Sequence, residues 1–168
     1  MAYETEGNVQ EAFGGESMAN RRYLFFAEKA EKEGYPQVAR LFRAVAEAET
    51  IHARNHLNAL DAVGSTKDNL LAAVMGEYQE FTTMYPHFIE KAEEEKNERA
   101  KRTFNWANEV EKIHHGYFEA ALAALKEDKK PADANYYVCQ VCGNTVTGEP
   151  PEKCPICGAP LKAFKKME

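Results

Sequence analysis

The chain has 168 residues, enough for one good core plus a small module. Its 27 acidic and 21 basic residues leave a net charge of −6, and no basic stripe of the kind that binds nucleic acid is visible. No apolar run approaches the roughly 20 residues of a membrane span. The acidic, polar start Met1-Ala2-Tyr3-Glu4 also lacks a signal peptide's apolar region, so a cytoplasmic protein is expected.

Four helices are expected. The first should run from about 7 to 33, with Phe13, Glu16, Asn20, Tyr23, Leu24 and Ala27 spaced three and four apart on one face. Gly34 ends it, and Pro36 suits the first turn of the next helix. That second helix should reach about 63, with Val38, Leu41, Phe42, Val45, Glu49, His52, His56 and Leu60 on one side. Gly64-Ser65-Thr66 breaks it. The third, about 68 to 95, turns Leu71, Val74, Glu77, Phe81, Tyr85 and Phe88 inward, and Pro86 should kink it. The fourth, about 98 to 127, turns Phe104, Ala107, Glu111, His114, Phe118 and Leu122 inward. The chain therefore divides into a helical region, 1–130, a polar linker, 131–135, and a short tail, 136–168, that carries every cysteine.

Two helices carry the same motif, Glu49-Thr-Ile-His52 and Glu111-Lys-Ile-His114. A three-residue spacing puts carboxylate and imidazole one turn apart on one face. Alone, such a pair is more often a surface ion pair or a core histidine. Here the other two helices add acids in phase, Glu16 on the first and Glu77 with Glu80 on the third. All five carboxylates interrupt apolar stripes, where an unpaired charge costs several kcal/mol. Five glutamates pointing into one core require cations, and two divalent ions leave one net negative charge. A mixed oxygen and nitrogen shell suits iron or manganese. Glu47 and Glu109 fall on the far side of their helices, and the residue three before His115 is Lys112, so none of these competes. Tyr23 and Tyr85 fall near the ligand level, as plain core or as hydrogen-bond donors to a ligand carboxylate.

The tail reads Cys139-Gln-Val-Cys142-Gly143 and Cys154-Pro-Ile-Cys157-Gly158. Each Cys-x-x-Cys-Gly forms a knuckle whose glycine permits a tight turn and lets backbone amides face the sulfurs. Some 33 residues cannot hold a core unaided, so a metal must supply the folding energy. Tetrahedral thiolate fits iron or zinc.

These residues together resemble the rubrerythrin family, over essentially the whole chain. The matching pieces are Glu16, Glu49 with His52, Glu77 with Glu80, Glu111 with His114, and the four cysteines, with Tyr136, Tyr137 and Phe164 packing the tail. The resemblance implies a mainly α fold: a ferritin-like four-helix bundle followed by a rubredoxin-like domain with short β-strands. It implies two Fe in a di-iron site and one Fe on the cysteines, with zinc a possible substitute in either. It implies a peroxidase that reduces hydrogen peroxide to water in oxidative-stress defence. One iron would exchange Glu80 in the oxidised state for His52 in the reduced state, and Glu80 is the candidate proton carrier. No Gly-x-Gly-x-x-Gly occurs, so a separate NAD(P)H-fed reductase or rubredoxin is the expected electron donor.

Only about four residues, Gly64 to Lys67, join the second and third helices. Such a loop cannot run the length of a helix of roughly 40 Å, as parallel neighbours would need. Either the bundle runs simply up and down, or the first two helices of one chain pack with the last two of another. The swapped homodimer is the favoured reading. Two other functions compete with the peroxidase: a ferroxidase that handles iron, and a structural bundle with a zinc ribbon.

Overall fold

A computed structural model of the chain describes residues 4–131 and 133–168. Met1–Tyr3 of the polar start and Ala132 of the expected linker lie outside the described residues. The helices are α1 (Glu4–Lys32), α2 (Pro36–Ala59), α3 (Thr66–Gln79), α4 (Tyr85–Glu94) and α5 (Glu98–Lys126), with a π-helical turn, Glu80–Met84, joining α3 to α4. Strands β1 (Tyr136–Cys139), β2 (Thr145–Thr147) and β3 (Phe164–Lys166) form one sheet. The mainly α class with a small C-terminal β module is as the sequence predicts. Among the described residues, no helix is long and apolar enough to cross a membrane.

Four of the five α-helices, α1, α2, α4 and α5, end alike. After α1, Gly34 takes φ +83, Tyr35 N–H donates to Ala30 O at 2.9 Å, and Gly34 N–H donates to Glu31 O at 3.1 Å. This paired closure satisfies the last carbonyls of the helix. The same pair of bonds recurs around Asp61, Lys96 and Asp128, which adopt φ of 49, 55 and 55. Left-handed backbone at a non-glycine residue is costly. It explains why α2 stops at Ala59 and not near 63: the stop is Asp61, a residue without a conspicuous stop signal, and not Gly64. Two starts are capped by side chains. Ser65 accepts from the Asp68 amide while Asp68 reaches back to the Ser65 amide, and Asn97 accepts from the Ala100 amide at 3.1 Å.

Residues divide by contact into two compact units, one before Ser65 and one from Ser65 onward. The expected linker at 131–135 thus falls inside the second unit. In the first unit α1 packs on α2 through Ala27, Ala30 and Ala39, with Phe42 against them. These small side chains let the helices approach closely. The Asn20 amide donates to Ala46 O at 2.7 Å and Thr50 Oγ1 at 2.9 Å, which sets the level of α1 against α2.

In the second unit α3 and α4 run along α5, burying Ala92, Val110 and Leu122. Pro86 lies at the first turn of α4. A proline there has no N–H and its ring crowds the carbonyl four residues back. The wider π turn accommodates it, with Tyr85 N–H bonding Glu80 O. The expected kink is thus a π turn. The sheet has order β2-β1-β3, all antiparallel, with Val138 opposite Thr145 and Cys139 opposite Phe164.

Several residues of the expected inward stripes are open to solvent, among them Val38, Leu41, Leu71 and Phe88. A helix pair buries only the faces that its own helices share. Each unit keeps an exposed apolar face: Phe25, Leu41 and Ile51 on the first, Leu71, Met75 and Tyr78 on the second.

Lys96→Gly should stabilise the protein by about 1 kcal/mol, because glycine adopts this helix end without strain. The readout is the thermal midpoint, which should rise by a few degrees. An unchanged or lower midpoint contradicts the assignment of this helix end.

Candidate metal centres

On α2 the three-residue spacing brings His52 Nδ1 to 2.8 Å from Glu49 Oε2. Asn20 lies one turn beyond Glu16 on α1, and its bonds bracket Glu49, so Glu16 comes level with that pair. One ligand atom from each of Glu16, Glu49 and His52 lies within 4.8 Å of the others. His52 is the exposed member, its side chain 54% accessible against 13% for Glu49.

The second unit repeats this arrangement. His114 Nδ1 stands 2.6 Å from Glu111 Oε2 and 3.9 Å from Glu77 Oε1, and the three residues again cluster within 4.8 Å. All three are mostly buried. Ligand atoms this close can converge on one ion at bonds of about 2.1 Å. Two oxygens and one nitrogen per cluster leave positions open for bridging or exchangeable ligands.

Electrostatics mark this second cluster as strained without a cation. Burial, followed by the charge of Glu111, pushes the Glu77 carboxyl from 4.5 up to about 7. Glu80 lies outside the cluster, at the first position of the π turn. It is nonetheless raised, by burial and then by the charge of Glu111. His114 Nδ1–H donates to the Glu111 carboxylate, and this hydrogen bond raises the imidazole above its ordinary value. Tyr85 is raised by burial and then by Glu111, Glu80 and Glu77, which puts its hydroxyl within electrostatic reach of the site. Tyr23 packs between the Phe26 and Phe42 rings at 6.3 and 6.0 Å. His115 sits among Tyr78 and Phe81 and pairs with Glu119 at 3.3 Å, away from the ligand set as expected.

The four cysteines are brought together. Cys139 Sγ lies 3.7 Å from Cys157 Sγ, and Cys142 Sγ lies 3.6 Å from Cys154 Sγ. Thiolates about 2.3 Å from a tetrahedral ion stand about 3.8 Å apart, whereas a disulfide bond is about 2 Å. The donor set therefore fits an ion. Gly143 and Gly158 take φ of 82 and 75, and their amides close matching turns onto Cys139 O and Cys154 O at 2.9 Å. Backbone amides of Asn144 and Ala159 face Cys142 and Cys157, although burial still raises both thiols. Burial works against the Cys154 thiolate too. There the amides of Cys157 and Ile156, with neighbouring thiols, prevail and bring it down to about 7. Phe164 packs against this cluster, as expected.

Models of known families match both parts: rubrerythrin over residues 7–122 and the rubrerythrin rubredoxin-like domain over 137–165. The chain belongs to the rubrerythrin family. It is 42% identical to Rubrerythrin-2 of Clostridium acetobutylicum over 171 residues, covering 94% of this chain and 93% of that protein. It is 37% identical to nigerythrin of Nitratidesulfovibrio vulgaris, covering 94% and 83%. The solved structure of fully reduced, all-ferrous nigerythrin matches with a TM-score of 0.58 at 34% identity, over 99% of this chain and 88% of that one. The di-iron and four-cysteine iron sites of the rubrerythrin family are the cofactor sites of this chain.

Two contributors escape sequence reading. Asn144 is fully buried, and its side-chain amide points at Cys154 Sγ at 3.6 Å. Thr145 Oγ1 lies 2.9 Å from His114 Nε2, and the Tyr117 hydroxyl donates to Thr145 O at 3.3 Å. These bonds join residues about thirty positions apart, so no local pattern announces them. A cavity of about 510 Å³ beside them is lined by Leu70, Glu77, His114, Phe118, Tyr136 and Thr145, among others.

The raised groups give a pH dependence for the metal-free protein. The unfolded Glu77 carboxyl ionises near 4.5 and the folded one near 7, so stability falls as pH rises across that window. Protonated His114 stabilises the fold below about 6.5, and this contribution is lost as pH rises through its higher folded value. Both act in one direction. The thermal midpoint of metal-free protein should fall from about pH 5 to about pH 8. With ferrous iron the trend should reverse, because metal binding displaces those protons. A metal-free midpoint that rises with pH contradicts the cluster.

Proposed function

We propose that this protein is a non-haem di-iron peroxidase that reduces hydrogen peroxide to water in oxidative-stress defence. Glu16, Glu49 and His52 would supply one half of the ligand set, and Glu77, Glu80, Glu111 and His114 the other. The observation that carries this reading is the pair of matching Glu-x-x-His clusters on a chain that also holds a preset four-thiolate site. Two irons held by these carboxylates and histidines would supply the two electrons for O–O cleavage, and an iron held by Cys139, Cys142, Cys154 and Cys157 would return electrons one at a time.

The protein's own groups manage protons. Peroxide, two electrons and two protons give two waters, so the site must deliver protons to oxygens leaving the bond. Glu80 is suited to this: burial and the Glu111 charge favour its protonated form, and it stands outside the close triad. His52, bonded to Glu49 at 2.8 Å and more than half exposed, would be the ligand that exchanges with Glu80 between oxidation states. Tyr85, raised by burial and by the charges of Glu111, Glu80 and Glu77, keeps its proton and would donate a hydrogen bond to a ligand carboxylate. Tyr23, within its aromatic cluster, would hold the α1–α2 side of the site. Electrons would come from NAD(P)H through a separate reductase or rubredoxin.

The exposed apolar faces of both units support the swapped homodimer, in which α1 and α2 of one chain cover α3–α5 of another. A cytoplasmic location belongs to the same proposal. A ferroxidase would use the same carboxylates but has no need of a thiolate electron donor.

The test is anaerobic. Iron-loaded protein is fully reduced, and a few equivalents of peroxide are added while the thiolate-to-iron band of the cysteine site is followed. The band should return within seconds, much faster than with air. A slow return, equal with peroxide and oxygen, contradicts the peroxidase reading and favours the ferroxidase.

A further inference from the structure

An imidazole can bind a metal through Nδ1 only if that nitrogen carries a lone pair, which requires the other ring proton to sit on Nε2. For His114 the partner of Nε2 is the Thr145 hydroxyl, at 2.9 Å. That hydroxyl has one proton and two lone pairs. It lies 3.2 Å from the carbonyl of Gly143, which can only accept. Gly143 O thus offers the hydroxyl proton an acceptor, which leaves a lone pair of Oγ1 for the ring. A hydrogen on Nε2 meets that lone pair, and when a metal replaces the proton that Nδ1 shares with Glu111, Nε2–H is the form the ring keeps. Nδ1 is then directed at Glu111 and Glu77, on the metal side of the ring.

The hydroxyl is itself held from two sides. Gly143 closes the first cysteine knuckle through its amide bond to Cys139 O. The peptide carbonyl of Thr145 accepts from Tyr117, one turn beyond His114 on α5. Tyr136 of β1 meets the Tyr117 ring edge-on at 6.0 Å. The orientation of the hydroxyl therefore depends on the folded cysteine module.

We propose that Thr145 is a positioning residue for the carboxylate–histidine centre, selecting the Nε2–H tautomer of His114 and aiming its Nδ1 at the metal. The inference rests on the metal reading of Glu77, Glu111 and His114. It assigns the cysteine module a second role: besides its own ion, it supplies the partner that orders a ligand of the other centre. It also gives a continuous bonded route from the imidazole through Thr145 and Gly143 to Cys142.

Partners of this kind typically change metal affinity by about 10- to 100-fold when removed. Full-length Thr145→Val, which keeps the shape and loses the hydroxyl, should bind ferrous iron at the carboxylate–histidine centre about 10- to 100-fold more weakly in competition with a chelator. Thr145→Ser should restore binding close to wild type. Tyr117→Phe, which removes the neighbouring docking bond and spares the hydroxyl, should weaken binding much less than Thr145→Val does. The thiolate-to-iron band should be unchanged in all three, showing that the module remains folded. In zinc-loaded protein, nitrogen-15 spectra should show a slowly exchanging Nε2–H on His114 that disappears in Thr145→Val.

Wild-type affinity in Thr145→Val would overturn the proposal. So would equal losses in Thr145→Val and Tyr117→Phe, which would indicate docking alone, or a Thr145→Ser variant as weak as the valine. A wild-type protein that takes no ferrous iron at this centre would instead overturn the metal reading, and this inference with it.

Discussion

Carboxylates held close together and partly out of water repel one another, and this repulsion constrains the rest of the molecule. Glu77 shows the combined effect: burial first, and then the Glu111 charge, pushes its carboxyl up to about 7, where an exposed glutamate would be fully ionised. After burial, the charge of Glu111, 15% accessible, is the next cause that raises Glu77, Glu80 and Tyr85 alike. A protein that only needed a helical core would place apolar side chains there. Cations turn the repulsion into coordination, and the rubrerythrin family membership names the cation as iron.

The remaining features serve to hold those carboxylates in place. The three-residue spacing on α2 and α5 sets each glutamate beside its histidine without help from the rest of the fold. Asn20 then levels α1 against α2 through two short bonds. The π turn places Glu80 at the point where the third helix changes register, within reach of Glu111 but outside the triad. The cysteine module is built on the same economy of local geometry. Two knuckles with glycines at positive φ set four sulfurs at the corners of a tetrahedron. Its strand β2 then touches His114, so one ligand of the carboxylate centre is ordered by the module that carries the other iron.

Features that depend on local period were legible in the sequence: the helices, the two Glu-x-x-His pairs, the acids phased with them, and the paired cysteines. Each is dictated by spacing of three or four residues or by a glycine after a cysteine. Features decided by tertiary context were not. Asp61, Lys96 and Asp128 end helices in left-handed backbone, which those residue types do not advertise. The kink expected at Pro86 is a π turn because the chain absorbs the missing N–H by widening the preceding turn. Leu41 and Leu71 follow the apolar stripe but remain exposed, since the stripe records the completed assembly and not the surface one helix pair can bury. Thr145 meets His114 only because the module folds back onto α5.

The central proposal is that the two triads are halves of one di-iron centre. Electron paramagnetic resonance of iron-loaded protein reduced by one electron per centre tests it most directly. High-spin Fe(III) and Fe(II) that share bridging carboxylates couple to a total spin of one half. The account predicts that signal in the wild-type protein and its loss both in Glu49→Ala and in Glu111→Ala, since either change breaks the shared ligand set. Isolated high-spin ferric signals, with each variant removing its own and sparing the other, would show two independent sites and contradict the account.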